Sequence, residues 1–194
     1  MPPSLFVIQW VPYVAARVRA RPSALDLAAG AGRHLPVLAA AGFRPFGVDI
    51  SLELLRDARR QAVVPPLLWC ADLTRAQLPA NRFDLALVTR YLDRSLFPAL
   101  KESVVPGGFV LYETFTRHQL AHGSGPRSPA HLLDPGELRR LFAPAETSAE
   151  KNARGEAPIH AGVDAGRGPR FDVVFYEECD TPEAVARLVA RRIF

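Results

Sequence analysis

Short apolar runs alternate along this chain with stretches in which apolar positions recur every three or four residues, the mark of strands alternating with helices. The first stretch, "SLFVIQWVPYVAARVRAR", places Phe6, Trp10, Tyr13 and Val14 at helical spacing. It is apolar from Leu5 to Ala16, too short to span a bilayer. Its arginines follow the apolar part, whereas a secretory signal carries its charge in front. Residues 1–22 therefore predict a docking helix.

A strand is predicted at Ala24–Ala28, then a glycine-containing loop, then a helix from Arg33 to Ala41 that Gly42 stops. Phe46–Asp49 reads as a second strand. Ser51 reads as the N-cap of "LELLRDARRQAV", whose inward stripe is taken as Leu54 and Ala58. "PPLLWCADL" supplies a third strand and "FDLALVTRYL" contains a fourth. A helix over Arg94–Val104 stops before "PGG", and "FVLYETF" is a fifth strand. "LLDPGELRRLF" predicts a helix with Asp134 as N-cap and Pro135 at its first position. "FDVVFYEE" and "AVARLVARRIF", separated only by Cys179–Glu183, predict an antiparallel hairpin. Strand–helix alternation implies a parallel sheet covered on both faces, here closed by a hairpin. Residues 144–170 carry no apolar period, and a loop of that length reads as a mobile lid or a disordered insertion.

The chain's 194 residues fit a single domain, and its 48% hydrophobic and 23% charged residues exclude a disordered chain. The net charge of +4 is carried almost entirely by arginines scattered along the sequence, which permits a nucleic-acid partner without requiring one. Cys70 and Cys179 lie far apart without metal-ligand spacing and read as two buried, reduced thiols, fitting a cytoplasmic protein. No metal site and no membrane association are expected.

In a doubly wound sheet, ligands bind beyond the C-terminal ends of the strands where the strand order reverses. The loop after the first strand lies there, and Gly30 and Gly32 are expected to let backbone approach a ligand. Three acids sharpen this. Asp49, ending the second strand, can accept hydrogen bonds from a ribose diol, and Asp72, ending the third, can accept from an exocyclic amine such as adenine N6. Asp26, at the end of the first strand, would repel a pyrophosphate and attract an amino group. Each acid alone is also explained by a helix cap or a solvated turn. Together they point to an adenosine ligand without phosphates, for which S-adenosylmethionine fits.

The segments "LDLAAGAGRH", "GVDIS", "CADL" and "FDLALVTRYLDRSLFPALKESVVPGGFVLYETF" resemble the class I S-adenosylmethionine-dependent methyltransferases, and most of all the small bacterial ones related to the tellurite-resistance group. The resemblance covers residues 5–142 and resumes at Phe171. It implies a Rossmann-like, doubly wound, mostly parallel seven-stranded sheet. It also implies that Asp26 and the Ala28–Gly32 loop contact the cofactor's amino acid part and that Asp49 holds the ribose. Ile50 would pack on adenine, Asp72 with Leu73 would read its edge, and Thr89 would line the methionine side. Ala28 and Ala29 stand where many members have glycine and cysteine, and the 144–170 insertion is longer than usual.

Methyl transfer from a sulfonium is an in-line displacement that needs positioning above all. Substrate-facing candidates are Tyr91 against the transferring methyl, Arg94 for an anionic acceptor, and Glu113 or His118 as a base, with His122 nearby. "TRYL" lacks the Asn/Asp-Pro-Pro-aromatic motif of adenine amino-methyltransferases, and neither cysteine sits in the Pro-Cys pair of pyrimidine-C5 enzymes. The expected activity is methylation of a small molecule, by a monomer or homodimer. Three alternatives stay open: an RNA methyltransferase, a cofactor-binding protein without catalysis, and a nicotinamide-dependent oxidoreductase. The last is opposed by Asp26 and by Leu35 and Pro36, which stand near the place of a third glycine.

Overall fold

The computed structural model describes residues 1–143 and 168–193. Most of the 144–170 insertion therefore lies outside the described residues.

Five helices and seven strands follow one another: α1 (Leu5–Ala15), β1 (Ser23–Leu27), α2 (Leu35–Ala40), β2 (Arg44–Asp49), α3 (Leu52–Gln61), β3 (Leu67–Cys70), β4 (Phe83–Thr89), α4 (Phe97–Ser103), β5 (Val104–Phe115), α5 (Glu137–Phe142), β6 (Phe171–Cys179) and β7 (Val185–Arg192). The strands form one seven-stranded sheet, doubly wound as expected, in the order β3-β2-β1-β4-β5-β7-β6. β1 pairs in parallel with both β2 and β4, so the strand order reverses at β1 and β4, and a crevice opens there. β7 runs antiparallel to β5 and to β6.

Alternation along the central strands divides the core in two. Ala24, Leu85, Leu87, Phe109 and Leu111 face α1 and α2, where Phe6, Val7, Val11, Val14, Leu35 and Leu38 cover them. Leu25, Leu27, Ala86, Val88, Val110 and Tyr112 face α4 and α5, where Phe97 stacks on Tyr112 at 5.3 Å between ring centroids. Every residue of β1 and of β4 is buried, as a parallel strand covered on both faces requires. The N-terminal helix docks as its spacing predicts, with Trp10 and Tyr13 packed at the edge of this core.

Four local expectations are corrected. In α3, Ser51 does cap the helix, accepting the Leu54 amide at 3.3 Å. The buried stripe, however, is Leu55 and Ala58, while Leu54 is exposed. The helix expected from Asp134 begins only at Glu137, because Gly136 is held in the left-handed region at φ 69°. There the Asp134 side chain pairs with Arg117, and its amide donates back to the Glu137 carboxylate at 2.8 Å. The helix expected over Arg94–Val104 opens as a 3-10 turn, Arg94–Leu96, and its "PGG" stop lies inside β5 as an irregularity in the ladder. A Cβ at Gly108 would sit 2.9 Å from the Asp84 carbonyl oxygen, so only glycine lets the strand pass there. Finally, the cysteines are free but not buried: Cys70 is exposed on the edge strand β3, and Cys179 is half-buried. Edge placement leaves β3 without the second neighbour that would cover it.

Candidate functional site

A cavity of about 620 Å³ lies beyond the C-terminal ends of β1 to β4. Ala28 after β1, Asp49 and Ile50 after β2, Ala71–Thr74 after β3 and Tyr91–Arg94 after β4 form its walls, and Ala130 and His131 close it. Its size suits a small organic ligand.

The wall nearest β1 and β2 is built by the backbone. Asp49 Oδ2 accepts the Gly30 amide and Oδ1 accepts the Ser51 amide, each at 2.8 Å, so one carboxylate ties the glycine loop to the start of α3. Each oxygen keeps a lone pair for a ligand hydroxyl. Gly30 sits at φ 55° with open space where a Cβ would stand, as a loop approached by a ligand requires. Gly32 is different. At φ 74° its Cβ would meet the Ala58 Cβ and Leu35 Cδ1 at 2.7 Å, so this glycine makes room for the packing of α2 and α3. Ala28 also has a positive φ, 54°, a strain on the order of 1 kcal/mol held at the cavity wall.

Asp72 lies two residues beyond β3, not in it. Its Oδ1 accepts the Thr74 amide at 2.9 Å and the Thr74 hydroxyl at 2.7 Å, and those bonds hold its carboxyl below the usual range. Leu73 beside it is buried, whereas Ile50 is 69% exposed and presents an apolar edge to the cavity.

Asp26 and Thr89 are not on the cavity wall. Thr89 is the last residue of β4 and its Oγ1 accepts from Arg33 Nη2 at 3.3 Å. Asp26 is 1% exposed, and neither of its carboxylate oxygens has a hydrogen-bond partner among the described residues. Burial pushes its carboxyl up; His34 and Arg33 pull it back, and Asp49 adds to the rise.

The acceptor-side candidates fare unevenly. Tyr91 stands on the cavity wall, half-buried, its hydroxyl pushed up by burial and by the charges of Asp93 and Asp72. Its carbonyl accepts from the Tyr112 hydroxyl at 3.0 Å. Arg94 also reaches the wall, but its guanidinium is spent: it grips Glu137 with two bonds, at 2.6 and 2.9 Å, and donates to the Ala130 and Leu132 carbonyls at 3.0 Å. It is a strut that fixes the 130–137 segment, not a free anion site. Glu113 is buried and bound to Arg187 Nε at 2.6 Å, away from the cavity wall. His118 faces Asp180 at 3.1 Å on the surface, and His122 is exposed on the same 3-10 turn. The structure therefore does not bring Glu113 or His118 to the cavity.

It brings others that the sequence reading passed over. Asp93 lines the wall, its Oδ1 bound to the Ser95 amide and hydroxyl at 2.9 and 2.7 Å, and its Oδ2 is buried without a partner. Asp93-x-Ser95 and Asp72-x-Thr74 share one pattern, a carboxylate folding onto the amide two residues on, and that pattern was legible. His131 arrives through the Arg94 strut, for which nothing local in the sequence speaks. His34, 1% exposed directly after the glycine loop and 3.6 Å from Asp26, was also passed over but lies off the cavity wall.

Among the described residues no group of His, Cys, Asp or Glu is placed to hold a metal ion, and no helix is long and apolar enough to cross a membrane. Residues 25–110 match the family model of a methyltransferase domain. No curated protein matches the chain. Solved structures do. The S-adenosylmethionine-dependent methyltransferase from Mesorhizobium loti is similar, with a TM-score of 0.64 and 19% identity over 95% of this chain and 98% of that one. TehB from Haemophilus influenzae gives 0.63 and 16% identity, over 93% of this chain and 60% of that one. A phosphoethanolamine N-methyltransferase from Haemonchus contortus, in complex with phosphoethanolamine and S-adenosylhomocysteine, gives 0.65 and 14% identity over 97% and 43%. Residues 25–110 thus match a methyltransferase domain, and the chain has the fold of the S-adenosylmethionine-dependent methyltransferases.

Proposed function

We propose that this protein is an enzyme that transfers a methyl group from S-adenosylmethionine to a small-molecule acceptor, with the adenosine seated in the cavity beyond β1–β3. The observation that carries the reading is the pair of carboxylates, Asp49 and Asp72, on one cavity wall behind successive strands, with Ile50 between them. Asp49 would hold the ribose diol, Ile50 would cover the adenine, and Asp72 with Leu73 would read its amino edge. The open cradle at Gly30 and the orphaned Asp26 carboxylate fit the amino acid part of the same group. When bound, the cofactor supplies a sulfonium-borne methyl to a nucleophile placed in line.

The residues then act by placement, whose effect reaches about 7–11 kcal/mol in well-aligned cases. Tyr91 forms the wall beside the transferring group. His131, not His118, is the histidine within the cavity, and a hydroxyl or protonated amine acceptor would use it as base. A thiolate would need none. The likeness to TehB keeps soft nucleophiles among the first acceptors to try, and the relation to the tellurite-resistance group belongs to this proposal.

Small molecules are favoured over RNA by the charge of the mouth. Asp49, Asp72 and Asp93 line it, and Arg94, its one arginine among the described residues, is neutralised by Glu137. A phosphate backbone would be repelled there. Free cysteines fit a reducing, cytoplasmic setting, and a core shared by α1 and the sheet supports treating residues 1–194 as a single domain.

The test is release of S-adenosylhomocysteine in the presence of thiol, amine and hydroxyl acceptors and of RNA. Turnover with one small-molecule class is expected. Turnover with RNA alone overturns the acceptor assignment, and binding without turnover on a broad panel leaves a cofactor-binding protein.

A further inference from the structure

Asp26 poses a problem that the cavity alone does not solve. A carboxylate buried to this degree normally has its hydrogen bonds made, yet both oxygens lack a hydrogen-bond partner among the described residues. Its nearest polar neighbour is His34, equally buried, with Nδ1 3.6 Å from Asp26 Oδ2, too long for a hydrogen bond. The other face of that ring is fixed. The Ser4 amide donates to His34 Nε2 at 3.2 Å, so in the neutral ring Nδ1 carries the hydrogen and turns it towards Asp26. Arg33, the neighbouring cation, spends its guanidinium on the Pro2 carbonyl and Thr89 Oγ1, both at 3.3 Å, instead of on Asp26. A pair built for stability would close these gaps. This one leaves both Asp26 oxygens without a hydrogen bond among the described residues, two residues before the cavity-lining Ala28.

We infer that His34 is a positioning residue for the ligand's amino group: held by the Ser4 amide, its Nδ1–H steadies the Asp26 carboxylate beneath the glycine loop to receive an ammonium. The inference rests on the reading of the cavity as an S-adenosylmethionine site. The segment before α1 then takes part in ligand binding, since its backbone sets the orientation of the ring through Ser4 and touches Arg33 through Pro2.

The experiment is calorimetric titration with two ligands, S-adenosylmethionine and methylthioadenosine, which lacks the amino acid part. Two variants divide the ring's functions. His34→Asn places an amide where Nδ1 stands; His34→Gln keeps only an acceptor for Ser4. His34→Gln is expected to weaken S-adenosylmethionine about tenfold, the worth of one charge-assisted contact, and His34→Asn to restore it to within about threefold of wild type. Methylthioadenosine should bind all three alike, which also reports that the site is folded. Unchanged S-adenosylmethionine affinity in His34→Gln, equal losses for both ligands, or no rescue by His34→Asn overturns the inference. So does a wild type that binds the two ligands equally, and in that case the cavity reading stands. A wild type that binds neither removes the cavity reading and this inference with it.

Discussion

The two sides of the cavity are built by different means. On the nucleotide side, Asp49 and Asp72 are set by amides close by in the chain or in the facing loop: Ser51, Gly30 and Thr74. Their carboxylates stay turned to the cavity. Beyond β4, Asp93 is likewise set by the Ser95 amide. The other charged candidates for the acceptor side are held by partners far away in sequence: Arg94, on the wall, by Glu137, and Glu113 and His118, away from it, by Arg187 and Asp180. Those charges are consumed by holding the fold. A site residue made by backbone turns remains free for a ligand, and one made by long-range ion pairs does not.

Mutations that separate the two sides test this contrast. Asp49→Ala should act most strongly, weakening S-adenosylmethionine binding about 100-fold or more, equivalent to about 2.7 kcal/mol, because ribose contacts and the Gly30 and Ser51 tethers go together. A loss under threefold in a titration would break the assignment of the nucleotide side. Glu113→Gln should lower stability in urea unfolding by about 2 kcal/mol through its buried bond to Arg187, while S-adenosylmethionine affinity holds. Lost turnover with unchanged stability would return Glu113 to the catalytic list.

Asp26→Asn should separate stability from binding. Burial raises the Asp26 carboxyl in the folded protein, so the unfolded chain ionises first and the ligand-free protein loses stability as pH rises from the ordinary carboxylate range towards the raised value. The variant does not carry that loss. Its melting temperature relative to wild type should therefore improve as pH rises above the ordinary carboxylate range, while it binds S-adenosylmethionine less well. A relative melting temperature that falls with pH would mean the carboxylate is already compensated. His118→Ala should do least, changing turnover by less than about twofold as expected of an exposed ion pair. A larger loss would bring the 117–122 turn to the chemistry.

The same contrast explains what the sequence made legible. The alternation of strands and helices, the hairpin and the docking of α1 follow from apolar periodicity, which burial enforces residue by residue. The placement of Asp49, Ile50 and Asp72 at the cavity was legible because each depends on a turn only a few residues long. Arg94, Glu113 and His118 looked available because their partners lie 43, 74 and 62 positions away, beyond any local pattern. The packing role of Gly32 was not legible for a similar reason: the side chain it makes room for, Ala58, belongs to another helix. Asp134 and Pro135 resemble a helix start, but the left-handed turn at Gly136 intervenes.

The most direct test of the central claim is calorimetric titration of the wild-type protein with S-adenosylmethionine, and separately with NADH. A site lined by Asp49, Asp72 and Asp93, with Asp26 buried nearby, should bind the phosphate-free sulfonium at micromolar concentration and give no heat with the dinucleotide. No binding of S-adenosylmethionine by protein that melts cooperatively, or NADH bound as tightly, would contradict the account.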